Sequence, residues 1–363
     1  MAKQQKIRAS CLCGDSKYEV SIANDKLPLA AMLCHCDTCR HVSGALCATY
    51  AKLPPGIKPP ETVFTSLQAY ETSDSITRYF CNRCGSHLVA KFHAVDIWAV
   101  ATGSLTIADG TVQFVRHVFI EDTIDGGFSD WLPEIQGQAL DRWAARPTDK
   151  QLEPGWSISN TSSNLLGAKR LHAHCACKGV NIYISRPSAK SEETSGPWPD
   201  VLVPYYEERP TSKAPWWLAA NKTKYLAGVC SCDSCRLGAG FEFQEWAFVP
   251  VSDISLSEDG QQPFSRQFGT LASYRSSDTA TRRFCATCGA TVFWDGDSRP
   301  GLIDVSVGLL AAAEGARAES WIEFSTKRLS YREDSIKRAK AITEALEMGL
   351  KQWQSEDIVS NRG

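Results

Sequence analysis

Cysteine is the residue type in this sequence whose number and spacing point most directly to chemistry. The chain has 15 cysteines in 363 residues. All but Cys47 form two series with the same order and spacing, and we call the segments that carry them module one and module two. The series in module one is Cys11, Cys13, Cys34, Cys36, Cys39, Cys81 and Cys84; the series in module two is Cys175, Cys177, Cys230, Cys232, Cys235, Cys285 and Cys288. Clustered cysteines with an odd total favour metal binding over a disulfide framework.

Each series divides into four cysteines that form two distant pairs and three that lie close together. Joining the two pairs in one tetrahedral zinc site would clamp the strands between them, and closed structural zinc sites take four ligands. We therefore expect one such site in each module, contributing directly to the folding free energy. The expected ligand sets are Cys11, Cys13, Cys81 and Cys84 in module one and Cys175, Cys177, Cys285 and Cys288 in module two.

The remaining cysteines form a compact C-x-C-x-x-C triplet in each module. Three thiolates on one zinc leave a coordination position open to water or to a substrate sulfur or oxygen. The triplets are Cys34, Cys36 and Cys39 in module one and Cys230, Cys232 and Cys235 in module two. The sequence thus predicts up to four Zn²⁺ ions per chain, two structural and two at open sites.

A closed triplet with a fourth ligand from elsewhere is the alternative. In module one, His35, His41 or Cys47 is a candidate for that ligand. Module two has Ser231 and Leu237 at the matching histidine positions and no counterpart of Cys47. Because a shared mechanism should not depend on residues that only one copy has, we favour the open site.

Charged residues near the triplets are candidates for supporting roles. Arg40 and Arg236 each follow the last triplet cysteine. Each is expected either to offset the negative charge of a tris-thiolate zinc and hold an anionic ligand, or to form a surface salt bridge. Glu245, Asp74 and Asp278 are acidic groups near the motifs, for which solvated surface carboxylates are the simpler interpretation. No general acid or base is identified.

The sequence around the cysteines repeats as well, which indicates a duplicated domain. Residues 67–85 and 271–289 share leucine, tyrosine, Ser-Asp, Thr-Arg, Phe-Cys and Cys-Gly at the same spacing. We predict a first domain at 1–150, a linker rich in Pro, Gly, Ser and Asn at 151–169, and a second domain at 170–363. Module two has about 32 additional residues between its first pair and its triplet, in a surface insertion at about 186–222.

The elements that must position these residues are predicted to be mainly β-strands. Apolar side chains alternate at 18–22 and 180–184, and short apolar runs recur at 88–90, 97–102, 112–115 and 303–307. From Asp334, apolar residues recur at helical spacing as far as Trp353, which predicts a C-terminal helix. We expect this helix to pack on its own domain, with partner binding as the alternative.

Composition and charge exclude several classes of function. Lys+Arg 39 against Asp+Glu 41 gives a net charge of −2, which does not favour binding to nucleic acid or an anionic membrane. The sequence also lacks the paired histidines of DNA-binding zinc fingers. No apolar run approaches the 18 residues of a spanning helix, and the first residues do not resemble a secretory signal. We therefore expect a cytoplasmic protein that binds neither nucleic acid nor membranes.

These motifs resemble the glutathione-dependent formaldehyde-activating enzyme family, whose domain also occurs in centromere protein V. The motifs that carry the resemblance are C-L-C-G, C-H-C-D-T-C-R-x-x-x-G and C-N-R-C-G in module one, and C-A-C-K-G, C-S-C-D-S-C-R-x-x-x-G and C-A-T-C-G in module two. The resemblance implies two tandem β-tent domains of twisted antiparallel sheets, each with a Cys₄ zinc and a solvent-accessible triplet zinc. It also implies a carbon–sulfur lyase activity, with glutathione as the thiol and S-hydroxymethylglutathione as the adduct.

The resemblance implies that the catalytic zinc ligands of module one are Cys34, Cys36 and Cys39. Module two departs from the motif, with Ser231 in place of His35, so we expect module one to carry most of the activity. The alternative is that module two, with five aromatic residues in its insertion, selects a bulky substrate. A second hypothesis for the whole chain is a non-catalytic, zinc-stabilised scaffold that binds a protein partner. The oligomeric state is not predicted.

Overall fold

The strands and helices of the chain follow the duplicated order of the sequence. The computed structural model describes residues 3–158 and 168–360, with residues 355–360 described by backbone alone. Module one contains β1 Gln4–Ser10, β2 Lys17–Ala23, β3 Leu29–Cys34, α1 Asp37–Ser43, β4 Ala48–Lys52, β5 Leu67–Ser73, β6 Ile76–Cys81, β7 His87–Phe92, β8 Ile97–Ala101, β9 Val112–Val118, β10 Glu134–Ile135, β11 Gln138–Ala139 and β12 Asp141–Arg142. Module two contains β13 Arg170–His174, β14 Asn181–Ser185, β15 Leu218–Ala219, β16 Lys224–Cys230, α2 Asp233–Ala239, β17 Gln244–Pro250, β18 Ile254–Ser255, β19 Leu271–Ser277, β20 Ala280–Cys285, β21 Thr291–Gly296, β22 Leu302–Ser306, β23 Ile322–Ser330, α3 Arg332–Ser335 and α4 Lys340–Ser360.

Each module is built on one large sheet. The sheet of module one has the strand order β12-β9-β3-β4-β8-β7-β6-β5, and that of module two has β15-β16-β17-β22-β21-β20-β19 with β23 beside β16. The expectation of antiparallel sheets holds for most neighbours, but β9 runs parallel to β3 and to β12, and β23 runs parallel to β16. The reason for the pairs β3-β9 and β16-β23 is that the chain crosses back from β8 or β22 to the strand that carries the triplet.

The alternating apolar residues of the sequence form strands, as predicted. Tyr18, Val20 and Ile22 are buried on one face of β2, and Ile182 and Ile184 are buried on β14. β2 pairs with β1, and β14 pairs with β13 in the matching hairpin of module two. The prediction of a mainly β chain with two tandem domains is confirmed.

The two modules share one hydrophobic core. Phe128 of module one stacks on Phe243 of module two at 6.0 Å between ring centroids, and Trp131 meets Phe324 edge-on at 4.7 Å. These side chains belong to one continuous cluster of buried residues that extends from β1 to α4. The sequence predicted two domains joined by a linker and did not reveal this shared core.

The interface between the modules is built from reciprocal contacts, as in a symmetric dimer. Gly308 N donates to Gly44 O at 3.0 Å, and Gly103 N donates to Gly240 O at the same distance. Gly44 and Gly240, at φ +81° and +87°, end α1 and α2 in the left-handed conformation. A Cβ on either glycine would lie 2.1 Å from a carbonyl oxygen of the opposite module. Each triplet helix therefore ends against the other module.

The predicted linker, residues 151–169, falls partly on residues 159–167, which lie outside the described residues. Of its described part, Leu152 is buried and its N–H donates to Arg142 O at 2.8 Å. The predicted insertion has irregular structure apart from a short 3₁₀ helix at Ala189–Glu192 and the two-residue strand β15 near its end. The domain and insertion boundaries stay predictions.

The C-terminal helix is present but differs from the prediction in two respects. A short α3 precedes α4, so the helical pattern that begins near Asp334 is interrupted between them. α4 buries Ile342, Leu346 and Leu350, and its Trp353 ring lies 5.7 Å from Trp131 of module one. The helix thus packs on both modules rather than on its own domain alone. Within the described residues, no helix is long and apolar enough to cross a membrane.

Candidate metal centres

Four groups of cysteine sulfurs come together, and they are the groups that the spacing predicts. In each group the sulfurs lie within 4.8 Å of one another. Two groups contain four cysteines and two contain three. The members are Cys11, Cys13, Cys81 and Cys84; Cys175, Cys177, Cys285 and Cys288; Cys34, Cys36 and Cys39; and Cys230, Cys232 and Cys235.

In module one, the four-cysteine group joins the turn between β1 and β2 to the turn between β6 and β7. In module two, it joins the turn between β13 and β14 to the turn between β20 and β21. In module one, Cys13 Sγ lies 3.4 Å from Cys11 Sγ and 3.6 Å from Cys81 Sγ. In module two, Cys177 Sγ lies 3.5 Å from Cys175 Sγ and 3.4 Å from Cys285 Sγ. Two distant parts of each module are thereby held at one point.

The donor sets fit zinc. Tetrahedral zinc with Zn–S bonds of about 2.3 Å places its sulfurs about 3.8 Å apart, close to the separations found here. The sulfurs also accept backbone N–H groups, as thiolates do: Ser16 N lies 3.3 Å from Cys11 Sγ, and Val180 N lies 3.3 Å from Cys175 Sγ. All four sulfur ligands are mostly buried in both groups, so these groups are suited to closed structural sites.

The triplets form where a strand passes into a short helix. Cys34 ends β3, Cys36 caps the N-terminus of α1, and Cys39 lies in its first turn. Cys39 N donates to Cys36 Sγ at 3.4 Å, and the equivalent bond in module two joins Cys235 N to Cys232 Sγ at 3.3 Å. The helix start thus fixes the geometry of three sulfurs that are close together in sequence.

No fourth ligand joins either triplet among the residues that the structure describes. His35 is fully buried, and its Nε2 lies 2.9 Å from His117 Nδ1. His41 contacts His174 O through Nδ1 at 2.8 Å and stacks on the His174 ring. Cys47 is buried outside both groups. The donor sets therefore suit three-thiolate zinc sites with an open position.

A buried arginine lies behind each triplet, and sequence reasoning did not single it out. Arg78 Nη2 donates to Cys39 Sγ at 3.1 Å, and Arg282 Nη2 donates to Cys235 Sγ at 3.4 Å. Their positions are 4% and 6% exposed. The signal was present in the sequence, because both arginines belong to the repeated Thr-Arg-x-Phe-Cys segment.

These contacts favour the charged form of one thiol in each triplet. Hydrogen bonds from the Cys34 and Cys36 thiols, together with the charge of Arg78, hold the pKa of Cys39 well below its ordinary value. Hydrogen bonds from Cys230 and Cys232, with the charge of Arg282, lower the pKa of Cys235 in the same way. Thiolate is the form that binds metal, so each triplet is prepared for a cation.

The arginines that the sequence did single out lie elsewhere. Arg40 forms an ion pair with Asp37, one turn before it on α1. Arg236 forms an ion pair with Asp233, and its Nη1 donates across the interface to Gly103 O at 2.7 Å. Among the described contacts, neither guanidinium reaches a triplet sulfur. Arg78 and Arg282, rather than Arg40 and Arg236, are therefore placed to offset the charge of the thiolates. The ion pairs of Arg40 and Arg236 correspond to the salt bridges given as the alternative, and a role of either residue in substrate binding stays a prediction.

The three acidic candidates from the sequence also lie away from the sulfurs. The interpretation of Glu245 as a solvated surface carboxylate is wrong, because Glu245 is buried at the interface, where its Oε2 accepts from Leu46 N at 2.8 Å. Asp74 and Asp278 are exposed in strand turns.

A different pair of carboxylates stands at the triplets. Asp122 Oδ2 accepts from Asp37 N, and Asp334 Oδ2 accepts from Asp233 N, each at 3.3 Å at the start of the triplet helix. Each carboxylate lies four residues beyond the end of the strand paired with the triplet strand. This repeated offset was the signal available in the sequence.

A cavity of about 470 Å³ opens on the triplet of module two. The three triplet cysteines, Arg282 and Asp334 are among the residues that line it. Aromatic side chains supply much of the wall: Trp198, Trp246, Phe248, Trp294 and Tyr331. A cavity of this size and composition suits a small organic ligand.

The five aromatic residues of the insertion have three different environments. Trp198 lines the cavity. Trp216 and Trp217 are buried and donate through Nε1 to backbone carbonyls, as structural tryptophans do. Tyr205 and Tyr206 are more than half exposed.

Comparison with known proteins gives one result for this architecture. A family model described as glutathione-dependent formaldehyde-activating enzyme (GFA) matches residues 6–122 and residues 218–326. The two matches together cover more than half of the chain and include both triplets. A search of curated proteins found no match.

Proposed function

Because the chain belongs to the glutathione-dependent formaldehyde-activating enzyme family, we propose that it is a zinc-dependent carbon–sulfur lyase acting on a thiol adduct, with glutathione as the thiol. The observation that carries this proposal is the triplet: three sulfurs, no fourth protein ligand among the described residues, and a buried arginine behind them. A closed structural zinc site takes four protein ligands, and the two four-cysteine groups already suit such sites.

The residues around each triplet have roles in the proposed reaction. Zinc at an open site supplies a Lewis acid and a position for a substrate sulfur or oxygen. Arg78 and Arg282 offset the charge of the three thiolates through their hydrogen bonds to Cys39 and Cys235. The backbone N–H of each of these cysteines fixes the sulfur of Cys36 or Cys232.

Asp122 and Asp334 are proposed to hold the proton that is exchanged when the adduct forms or breaks. Burial raises the pKa of Asp122 above its usual range, which favours a proton on this carboxyl at higher pH than on an exposed aspartate. Asp334 lines the cavity of module two beside the triplet. The direct test is Asp122→Asn and Asp334→Asn, each expected to lower kcat with little change in zinc content.

The assignment of S-hydroxymethylglutathione activity to Cys34, Cys36 and Cys39 is retained as a proposal. It no longer rests on His35, which is bonded to His117 in the interior. The absence of nucleic-acid and membrane partners is likewise retained as a proposal, supported by the balanced charge of the chain. Cytoplasmic localisation is also retained as a proposal.

The experiment compares Cys36→Ser, Cys232→Ser and the double variant for cleavage of S-hydroxymethylglutathione. We expect at least a 100-fold loss with Cys36→Ser and a smaller effect with Cys232→Ser. Full activity in the double variant would reject catalysis at the triplets and favour the alternative, a zinc-stabilised scaffold for a protein partner. Circular dichroism and retention of the two zinc equivalents of the four-cysteine groups serve as checks that the variants are folded.

A further inference from the structure

The cavity in module two is lined by an ion pair, Arg299 and Asp304, in which one atom of each side chain has no hydrogen-bond partner. Arg299 Nη2 donates to Asp304 Oδ2 at 2.7 Å, and both residues line the cavity. Their positions are 7% and 8% exposed. Arg299 Nη1 and Asp304 Oδ1 have no hydrogen-bond partner within the described part of the chain. Leaving a buried donor or a buried acceptor without a hydrogen-bond partner costs folding free energy. Here both atoms belong to the same ion pair.

Aromatic rings lie next to the ion pair of Arg299 and Asp304. The Arg299 guanidinium lies 4.6 Å from the centroid of the Trp294 ring and 5.8 Å from that of Phe248. Trp246 and Trp198 complete the wall toward the triplet. Aromatic rings in this arrangement favour stacking with a planar ligand. The residues that line the cavity thus include aromatic side chains and one ion pair that has an unpartnered donor atom and an unpartnered acceptor atom.

Module one has different residues at the corresponding positions of its sheet. Ala90 of module one corresponds to Trp294 of module two, because Ala90 pairs with Arg78 and Trp294 pairs with the equivalent Arg282. By the same comparison Lys52 corresponds to Phe248 and Ala99 to Asp304. The sequence that contains Trp198 has no counterpart in module one. Since the shared catalytic features do not require these aromatic and charged residues, they point to selection of a substrate by module two.

From these contacts, and resting on the proposed lyase function, we propose that module two acts on a thiol adduct whose carbon partner is a planar aromatic group with an amide edge. The amide carbonyl accepts from Arg299, and the amide N–H donates to Asp304. In the reaction the C–S bond of a hemithioacetal breaks and its electron pair passes to sulfur. The hydroxyl loses its proton as C=O forms, and the released thiol takes up that proton. The products are an aromatic aldehyde and the thiol.

Binding is tested first, independently of turnover. The probe is 4-(hydroxymethyl)benzamide, which has no aldehyde and no thiol, and benzyl alcohol is its matched partner without the amide. Equilibrium dialysis against the zinc-loaded full chain should give one site for the benzamide probe and at least tenfold weaker binding of benzyl alcohol. A site built to bond a polar group discriminates strongly against an analogue that lacks it.

Two variants locate the site. Trp294→Ala places in module two the residue that module one has. Asp304→Asn keeps the shape but replaces one of the two carboxylate oxygens by an NH2 group, which leaves a single acceptor for Arg299 and the ligand. Each should weaken binding of the benzamide probe at least tenfold, with zinc content unchanged. Cys36→Ser, in the other module, is the control and should leave the affinity unchanged. Unchanged binding in both Trp294→Ala and Asp304→Asn, or no binding of the probe at millimolar concentration, would overturn the proposal.

Turnover separates this proposal from the proposed function. The glutathione adduct of 4-formylbenzamide should be cleaved in a reaction that Cys232→Ser abolishes and Cys36→Ser spares. Cleavage of S-hydroxymethylglutathione without binding of the benzamide probe would reject only the substrate proposed for module two. Binding of the probe without cleavage of either adduct would reject the lyase function and leave a binding site.

Discussion

Arg282 donates to the Cys235 sulfur from a buried position, and Arg78 does the same for Cys39. Partners that hydrogen-bond to metal ligands tune metal affinity, and their loss costs about 10–100-fold. We therefore expect Arg282→Met to weaken zinc binding by the triplet of module two within this range. Competition with a chromophoric chelator measures the change.

Arg275→Met is the matched control for this variant. Arg275 lies on the neighbouring strand β19 and forms an exposed ion pair with Asp297 at 2.5 Å. Its removal should leave zinc affinity unchanged. Equal zinc affinity in Arg282→Met and wild type would contradict the role assigned to the buried arginine.

The cysteine groups could be predicted from sequence because ligand type and spacing constrain a zinc site strongly. Arg78 and Arg282 could not be assigned in the same way, because their distance from the triplet is set by strand pairing. Arg40 and Arg236 are adjacent to the triplets in sequence, yet helix geometry directs them to Asp37 and Asp233. Sequence proximity to a triplet therefore does not determine which arginine contacts its sulfurs.

At the scale of elements, each four-cysteine group holds the first hairpin of its module against a turn between two strands of the large sheet. Cys84→Ser or Cys288→Ser removes one thiolate from a closed site. Because zinc binding at such a site is coupled to folding, we expect either variant to lose on the order of 3 kcal/mol of stability or more. Denaturant unfolding of the zinc-loaded chain measures the loss.

The triplet variants Cys36→Ser and Cys232→Ser are the comparison for this measurement. Each alters one sulfur on a loop whose strand and helix are held by other contacts, so the expected loss of stability is about 1 kcal/mol. If all four variants lost stability equally, the distinction between closed and open groups would be wrong.

At the scale of the whole molecule, the modules meet through glycines whose Cβ positions are occupied by the opposite module. Gly44→Ala would place a Cβ 2.1 Å from Thr291 O, so we expect a loss above 3 kcal/mol and one lowered unfolding transition for both modules.

Gly56→Ala is the control, because Gly56 has the same φ of +81° and nothing within 4 Å of its Cβ position. The backbone conformation alone should cost about 1–2 kcal/mol. Equal losses in Gly44→Ala and Gly56→Ala, or separate melting of the two modules, would contradict the shared interface.

Glu245 makes stability depend on pH. Burial raises the pKa of its carboxyl from 4.5 to about 7 in the folded chain. The fold therefore favours the protonated form, and the stability that this form contributes is lost as pH rises from about 4.5 through 7. Glu245→Gln keeps an acceptor for Leu46 N and removes the titration. We expect this variant to exceed wild type by about 3 kcal/mol at pH 8 and to match it near pH 4.5.

Thermal or denaturant unfolding at several pH values measures the difference between these two chains. A constant difference across pH 4.5–8 would show that the interface does not perturb the Glu245 carboxyl.

The duplication was predictable at this scale, but the joining of the modules was not. Repeated spacing reveals two copies because each copy keeps its own ligands. The shared core depends on which apolar residues of one module contact the other module, as Phe128 contacts Phe243. From the sequence alone, each of these two phenylalanines could equally be buried within its own module. The cavity likewise needs Trp198, Arg299 and Asp304 from distant parts of the chain.

Zinc stoichiometry tests the central claim, two closed sites and two open triplet sites in one chain, most directly. Elemental analysis of the zinc-loaded wild-type chain, after removal of unbound metal, should give four equivalents. The variant with Cys36→Ser and Cys232→Ser together should retain two equivalents and remain folded by circular dichroism. Two equivalents in the wild type, unchanged in the double variant, would show that the triplets hold no zinc and would contradict the account.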